Sequence, residues 1–179
     1  MGAGNKPEKS WVNLQNLSAH GVSWVDCCRE GATASPYGDN PHNVEAAVNV
    51  GRGSKKLWGI VYLGVNDAKV SNWSKLGYAE TFVERMKAIK KLIKDRDMKC
   101  LLVIPPSGPS VHEAYSTEAL KKEIPDLIHT IKTGPNTRIL DPRTFMASNV
   151  YYHDDHVTLN EEGHKVMSQQ VLDALMSKK

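Results

Sequence analysis

The sequence lacks any apolar stretch that could cross a membrane, because no run of about 18 apolar residues occurs among its 179 residues. The first ten residues are polar and include no apolar signal region. Cysteine is scarce: the chain has three, of which Cys27 and Cys28 are adjacent. So small and odd a number does not predict a disulfide framework. We therefore expect an intracellular protein, in a reducing compartment, that does not bind membranes.

A strong excess of charge is missing as well. The formal net charge of +3 is too small to predict nucleic acid binding. Apolar residues make up 40% of the chain and charged residues 24%, which is ordinary for a globular protein, and the length suits a single domain over residues 1–179. One basic cluster fits a solvated helix face better than a binding patch; it consists of Lys87, Lys90, Lys91 and Lys94.

What the sequence does contain is an alternation of strand and helix patterns. Short apolar runs predict strands, and apolar residues at helical spacing predict the helices between them. This alternation indicates an α/β fold with a mostly parallel sheet, in which functional residues collect at the carboxyl ends of the strands. The predicted strands are 22–28, 57–63, 100–104 and 138–140, and the predicted helices are 7–20, 43–50, 75–95, 117–132 and 159–176.

Two loops that follow predicted strands could stabilise a negative charge. Gly64, Asn66 and Asp67 form a Gly-x-Asn-Asp turn, and the Asn66 amide could donate to an oxyanion. An ordinary turn capped by the Asn and Asp side chains fits the same residues equally well. In the loop after the preceding strand, Gly31 would let a backbone N–H approach a substrate closely, although a plain tight turn also explains it.

The segment before the last helix is rich in carboxylates and imidazoles. A histidine there could act as a general base that a neighbouring aspartate orients. Thr158 and Glu161 have the spacing of a capping box, which predicts Thr158 as the helix N-cap. We do not favour a metal site at residues 153–156, because side chains adjacent in sequence converge poorly on one ion.

Taken together and in this order, these motifs resemble the SGNH/GDSL hydrolase family. The resemblance implies a three-layer α/β/α, flavodoxin-like fold. It further implies that the protein hydrolyses small esters and needs no cofactor to do so. It also implies an oxyanion hole from Gly31 and Asn66, with Gly64 and Asp67 as the supporting turn. Two further blocks are typical of the family: Gly-Asp-Ser, with the nucleophilic serine after the first strand, and Asp-x-x-His before the last helix.

The Gly-Asp-Ser block is the first departure, because it does not occur in the sequence and no apolar strand precedes residue 7. Ser18 cannot replace the nucleophile, since only three residues would link it to the strand at 22–28, whereas a parallel crossover needs about ten or more. Cys27 and Cys28 lie near a strand end close to Gly31, but they fit small buried strand residues better than nucleophiles. The loop serines at 35, 107 and 110 have no nucleophile context. We therefore expect a sheet without its first strand, which a protein partner or a rearranged pairing would complete.

The last block is the second departure. The family's spacing places Thr158 where its histidine stands, three residues after Asp155. Alternatively, His156 is the base and an insertion follows it, with Asp154 or Asp155 as the orienting carboxylate. We take His156, Asp154 and Asp155 as the candidate catalytic residues.

Three functions are consistent with these features. The first is an SGNH-type ester hydrolase whose serine block is absent from this chain. The second is a catalytically inactive SGNH-like domain that acts as a structural or assembly subunit. The third is the esterase-like domain of a mobile-element protein, since some retrotransposon reading frames resemble this family.

Overall fold

The computed structural model describes residues 11, 31–35, 57–131 and 133–177. Several predictions lie outside these residues: the strand at 22–28 with Cys27 and Cys28, the helix at 43–50, and the helix at 7–20 apart from Trp11. The predicted absence of a first strand also concerns that part of the chain. None of the helices in the described part is long and apolar enough to span a bilayer.

The described elements follow the predicted alternation of strands and helices. The predicted helix at 117–132 contains Pro125, which has no N–H to donate to the preceding turn. That preceding turn is π-helical, and the Ile124 N–H donates to the Ala119 carbonyl five residues back. In chain order the elements are β1 (Trp58–Tyr62), α1 (Val70–Trp73), α2 (Tyr78–Lys94), β2 (Lys99–Val103), a π-helical turn (Ala119–Glu123), α3 (Ile124–Thr130), β3 (Thr137–Leu140), a 3₁₀ turn (Asn149–Tyr151) and α4 (Glu161–Met176).

The three strands form one parallel sheet in the order β1-β2-β3. Tyr62 pairs with Val103, and Val103 pairs with Leu140, so all three strands end at the same edge. The loops after β1, β2 and β3 therefore emerge side by side, which is the arrangement that the sequence predicts for a functional edge.

The two faces of the sheet are covered by different helices, because alternate residues of β2 point to opposite sides. Leu102 packs in one buried cluster with residues of α2 and α3, including Phe82 and Ile128. Leu101 packs in a second buried cluster with Trp11 and with Met167 of α4. The result is a three-layer α/β/α sandwich, which confirms the predicted fold class.

The start of α4 differs from the prediction. Asn160 is the N-cap residue, and its side-chain oxygen accepts a hydrogen bond from the Gly163 backbone N–H at 3.0 Å. The predicted cap at Thr158 is therefore wrong. The Thr158 hydroxyl donates to Asp155 instead, so that it is not available to the helix end.

Candidate functional site

The turn after β1 requires a glycine at its first position. Gly64 has φ of +120°, a region that side chains rarely enter. A Cβ there would stand 3.1 Å from Ile124 Cγ2 and 3.2 Å from Pro105 Cγ. The backbone N–H of Ala68 donates to the Gly64 carbonyl at 2.9 Å and closes the turn. Packing from α3 and from the loop after β2 therefore fixes the backbone that carries Asn66 and Asp67.

Asp67 ties this turn to the loop at residues 31–35. Its carboxylate is fully buried, and both oxygens accept from the Ala34 backbone N–H at 3.1 Å. The Tyr78 hydroxyl donates to the same carboxylate at 3.0 Å. Burial raises the pKa of Asp67, and the hydrogen bonds and the Arg85 charge partly oppose that rise. The bonds to Ala34 join segments that are 33 residues apart in sequence.

Asn66 makes a second link to the same loop. It is 8% exposed, and its side-chain N–H donates to the Ala32 carbonyl at 3.1 Å. An amide carries two N–H donors, so this bond leaves one for a ligand. Gly31 precedes Ala32 and has φ of +76°, so that this loop also begins with a residue in the left-handed region. The structure thus brings the Gly31 loop and Asn66 together, as the two separate motifs predict.

The segment at 153–158 is organised around Asp155. One carboxylate oxygen accepts from the backbone N–H groups of Val157 at 2.9 Å and Thr158 at 2.7 Å. The other accepts from the Thr158 hydroxyl at 2.6 Å. Burial alone would raise the pKa of Asp155, but these hydrogen bonds outweigh it and hold the pKa below its usual value. Asp155 is therefore bound to the residue three positions after it.

His156 has a different partner. Its Nδ1 contacts the carbonyl oxygen of Ser110, in the loop after β2. Its backbone lies in the left-handed region with φ of +54°, and its N–H donates to the His153 carbonyl at 2.8 Å. Asp154 is exposed on the same turn. The hydrogen bonds of Asp155 thus go to Thr158 and Val157, while the His156 ring lies on a backbone carbonyl.

The loop after β2 connects the two halves of the site. The Gly108 backbone N–H donates to the His156 carbonyl at 2.8 Å, and the Ser116 N–H donates to the Ala68 carbonyl at 2.8 Å. Val157 belongs to the same buried cluster as Ala68. The carboxyl ends of the strands therefore gather the residues that we predicted from three separate motifs, although their catalytic roles stay predictions.

Sequence reasoning missed several contacts in this site. The Asp67 bonds to Ala34 and Tyr78 carry no local signal, because Ala34 lies 33 residues away in sequence and Tyr78 lies at the start of α2. The Ser110 carbonyl has no side-chain signature. By contrast, the Asp155-x-x-Thr158 spacing could have indicated that Thr158 is the partner of Asp155 rather than a helix cap. In the described ranges, no three His, Cys, Asp or Glu side chains gather as a metal site.

Solved structures of esterases have the same architecture as this chain. An acetyl xylan esterase, AlAXEase, superposes with a TM-score of 0.66 at 17% identity, over 94% of this chain and 92% of the other. A GDSL-like lipase from Bacteroides thetaiotaomicron matches with a TM-score of 0.58 at 15% identity, over 81% and 71%. A carbohydrate esterase of family 3 from Talaromyces cellulolyticus matches with a TM-score of 0.55 at 19% identity, over 82% and 67%.

No protein-family model matches the sequence, and no curated protein sequence matches it. The structural likeness at these identities establishes the fold. The chain therefore has the fold of the SGNH/GDSL hydrolases, which the order of its motifs predicts.

Proposed function

We propose that this chain is an SGNH-fold domain that keeps the oxyanion side of an esterase site but does not itself hydrolyse esters. One observation carries the proposal. The carboxylate of Asp155 accepts from the hydroxyl and the backbone N–H of Thr158, at the spacing where the family has its catalytic histidine. A threonine hydroxyl cannot take up a proton from a serine near neutral pH, whereas a neutral imidazole can.

The sequence supports the same proposal, because it also lacks the block that carries the family's nucleophile. No Gly-Asp-Ser occurs among the 179 residues. In serine hydrolases the nucleophile and base act as one unit, and loss of any triad member costs about 10⁴-fold or more in turnover. Without an imidazole on Asp155 and without the serine of a Gly-Asp-Ser block, the oxyanion loop has no serine attack to stabilise.

The oxyanion side has a structural reason to persist without catalysis. The fully buried Asp67 holds the Ala34 backbone N–H, and Asn66 holds the Ala32 carbonyl. Buried polar groups that lose their partners are costly, so these residues stabilise the fold whether or not a substrate binds. We therefore propose a structural or assembly role for the domain.

The edge of the described sheet at β1 can accept a further strand. Among the described strands, β1 pairs on one side only, with β2. Four of its five residues are partly exposed, whereas four of the five residues of β2 are buried. A strand beside β1, from the part of the chain outside the described residues or from a protein partner, would satisfy its outer N–H and C=O groups.

A second candidate function is hydrolysis of a small carboxylic ester with His156 as the base. The contact between His156 Nδ1 and the Ser110 carbonyl favours it. If Nδ1 carries the proton, Nε2 is the unprotonated acceptor that a general base requires. In this alternative the nucleophile lies outside the described residues.

Hydrolysis of p-nitrophenyl acetate separates the two proposals. We expect the unaltered chain, Asn66→Ala and His156→Ala to hydrolyse the ester at the same background rate. The matched control is His129→Ala, which removes an exposed imidazole from α3 and corrects for non-specific hydrolysis by histidines. A rate that falls at least tenfold in Asn66→Ala and His156→Ala, but not in His129→Ala, would contradict the inactive domain and support the hydrolase.

Covalent labelling gives an independent answer. A serine-reactive fluorophosphonate should leave the serines of the chain unlabelled, because Asp155 bonds to Thr158 and not to an imidazole that could activate a serine. Labelling of one serine that disappears in His156→Ala would instead identify the nucleophile and its base.

A further inference from the structure

A surface cavity of about 430 Å³ lies at the carboxyl edge of the sheet, next to the turn at 153–158. The loop after β2 forms one wall, and its Gly108 N–H also binds the His156 carbonyl. The loop after β3 and the π-helical turn form the others. The side chains that line the cavity include Ser107, Pro109, Lys121, Asp141, Arg143 and Thr144.

The charges that line this cavity do not cancel. Among the lining residues, Lys121 and Arg143 supply two positive charges against the one negative charge of Asp141, while Asp126 acts on Arg143 from outside the lining. Ser107 and Thr144 add hydroxyl groups that can donate hydrogen bonds. A bound anion would neutralise the excess positive charge of the lining residues, whereas a neutral molecule would not.

Arg143 is held in place before any ligand arrives. Its Nε and Nη2 donate to the two oxygens of Asp141 at 2.8 and 2.6 Å, and its Nη1 donates to the Lys121 carbonyl at 3.0 Å. The guanidinium has five N–H donors, so these three bonds leave two for a ligand. The hydrogen bond from Arg143 holds the pKa of Asp141 below its usual value, so the pair stays charged at neutral pH.

Lys121 lines the same cavity. Its ammonium contacts the Pro109 carbonyl oxygen. An ammonium carries three donors and can bind a further acceptor. The hydrogen bonds that hold Arg143 mean that it loses little side-chain entropy when a ligand binds. Together with the Lys121 ammonium, it provides charged donors for an oxyanion.

We propose that this cavity binds a small organic anion, with its carboxylate or phosphate group between Lys121 and Arg143 and its apolar part against Pro109. The volume fits a small ligand, since ligand pockets usually measure about 300–1,000 Å³. Binding of such an anion does not require ester hydrolysis, so an inactive domain can use the site to recognise a small anionic metabolite.

Titration of the whole chain by calorimetry tests this site with three probes of similar size. Benzoate and phenyl phosphate present the two kinds of anionic group, and benzamide is the neutral control. We expect an anion to bind at least tenfold more tightly than benzamide, and to bind more weakly as the salt concentration rises. Preference for one of the two anions identifies the group that the site takes, and either preference supports the proposal.

Two variants and one matched control locate the binding. Lys121→Gln and Arg143→Gln should each weaken binding of the anion about tenfold. Lys165→Gln removes the same charge from α4, where Lys165 is paired with Glu162, and should leave the affinity unchanged. Because Arg143 also binds Asp141, thermal unfolding of that variant checks its folding, and Lys121→Gln provides the test independently.

Three results would overturn the anion site: benzamide that binds as tightly as the anions, no binding of either anion, or equal losses in Lys121→Gln and Lys165→Gln. The hydrolysis assay reports on a different reaction. A negative result in one experiment is therefore distinguishable from a negative result in the other.

Discussion

The oxyanion region and the base region of this edge are held together in different ways. In the oxyanion region, residues 31–35 and 64–67, buried side chains bond to backbone groups more than 30 residues away. In the base region, residues 153–158, Asp155 bonds to residues two and three positions along the chain. Long-range buried bonds make the first region part of the core, whereas the second is a local turn whose residue types can change at small cost to the fold.

Under the proposed inactive domain, this difference would let the oxyanion region persist while the base region changes. Replacing a histidine by a threonine at position 158 keeps a hydrogen bond to Asp155 and hence the turn. Replacing Asp67 would leave the buried Ala34 N–H without an acceptor, and this lowers the stability of the fold whether or not the protein is catalytically active.

The largest effect that tests the contrast is expected at Asp67. Asp67 is fully buried, and Asp67→Ala removes the acceptor of the Ala34 N–H and of the Tyr78 hydroxyl. Because both donors would then lack a partner, the free energy of unfolding should fall by about 3 kcal/mol. Asp154→Ala, at an exposed position of the base region, should change it by less than about 0.5 kcal/mol. Urea denaturation measures both. Equal losses in the two variants would abolish the distinction between the regions.

The next effect concerns the buried imidazole just beyond the base region. His164 is 2% exposed, and its Nδ1 accepts from the Trp11 backbone N–H at 3.2 Å. Burial, and then the charge of His153, lower the pKa of His164 from 6.5 to about 4. Between these values the unfolded chain takes up a proton that the folded chain does not, so the free energy of unfolding should fall as the pH falls.

The full loss due to His164 should amount to about 3 kcal/mol between pH 6.5 and 4. His164→Gln should remove this part of the pH dependence, and His112→Gln, at an exposed position, should retain it. Denaturation curves of the three proteins at several pH values measure the difference. A curve for His164→Gln that parallels the unaltered chain would show that His164 does not titrate in this way.

A smaller effect is expected from the backbone of the oxyanion turn. Gly64→Ala should destabilise the fold by about 2 kcal/mol, because φ of +120° and the close contacts with Ile124 and Pro105 both oppose a Cβ. Gly134→Ala is the matched control, since a Cβ there meets nothing within 4 Å. Thermal denaturation should separate the two variants clearly, and similar melting temperatures would argue against a constrained turn.

The sequence predicts the elements that local patterns encode. The strands at 58–62, 99–103 and 137–140 and the helices at 78–94 and 161–176 each have a buried run or an apolar face that can be recognised in isolation. The convergence of Gly31 and Asn66 also follows, because parallel strands end at one edge. The cap of α4 does not follow, since Asp155 competes for the Thr158 hydroxyl and Asn160 caps the helix.

The polar contacts of the site are harder to predict than its position. The bonds from Ala34 and Tyr78 to Asp67 depend on how the layers pack. The choice between Thr158 and His156 as the partner of Asp155 depends on a left-handed backbone at His156, where residue type gives little warning. Sequence patterns therefore locate the functional edge, and only the three-dimensional arrangement distinguishes the partners within it.

Asp155 forms hydrogen bonds with Thr158 and not with His156. Two double-mutant cycles test this pairing most directly. Asp155→Ala is combined with Thr158→Val in one cycle and with His156→Ala in the other, and urea denaturation gives each free energy of unfolding. We predict a coupling energy of about 1 kcal/mol between Asp155 and Thr158, and one within about 0.3 kcal/mol of zero between Asp155 and His156. A larger coupling between Asp155 and His156 than between Asp155 and Thr158 would contradict the account and restore His156 as the base.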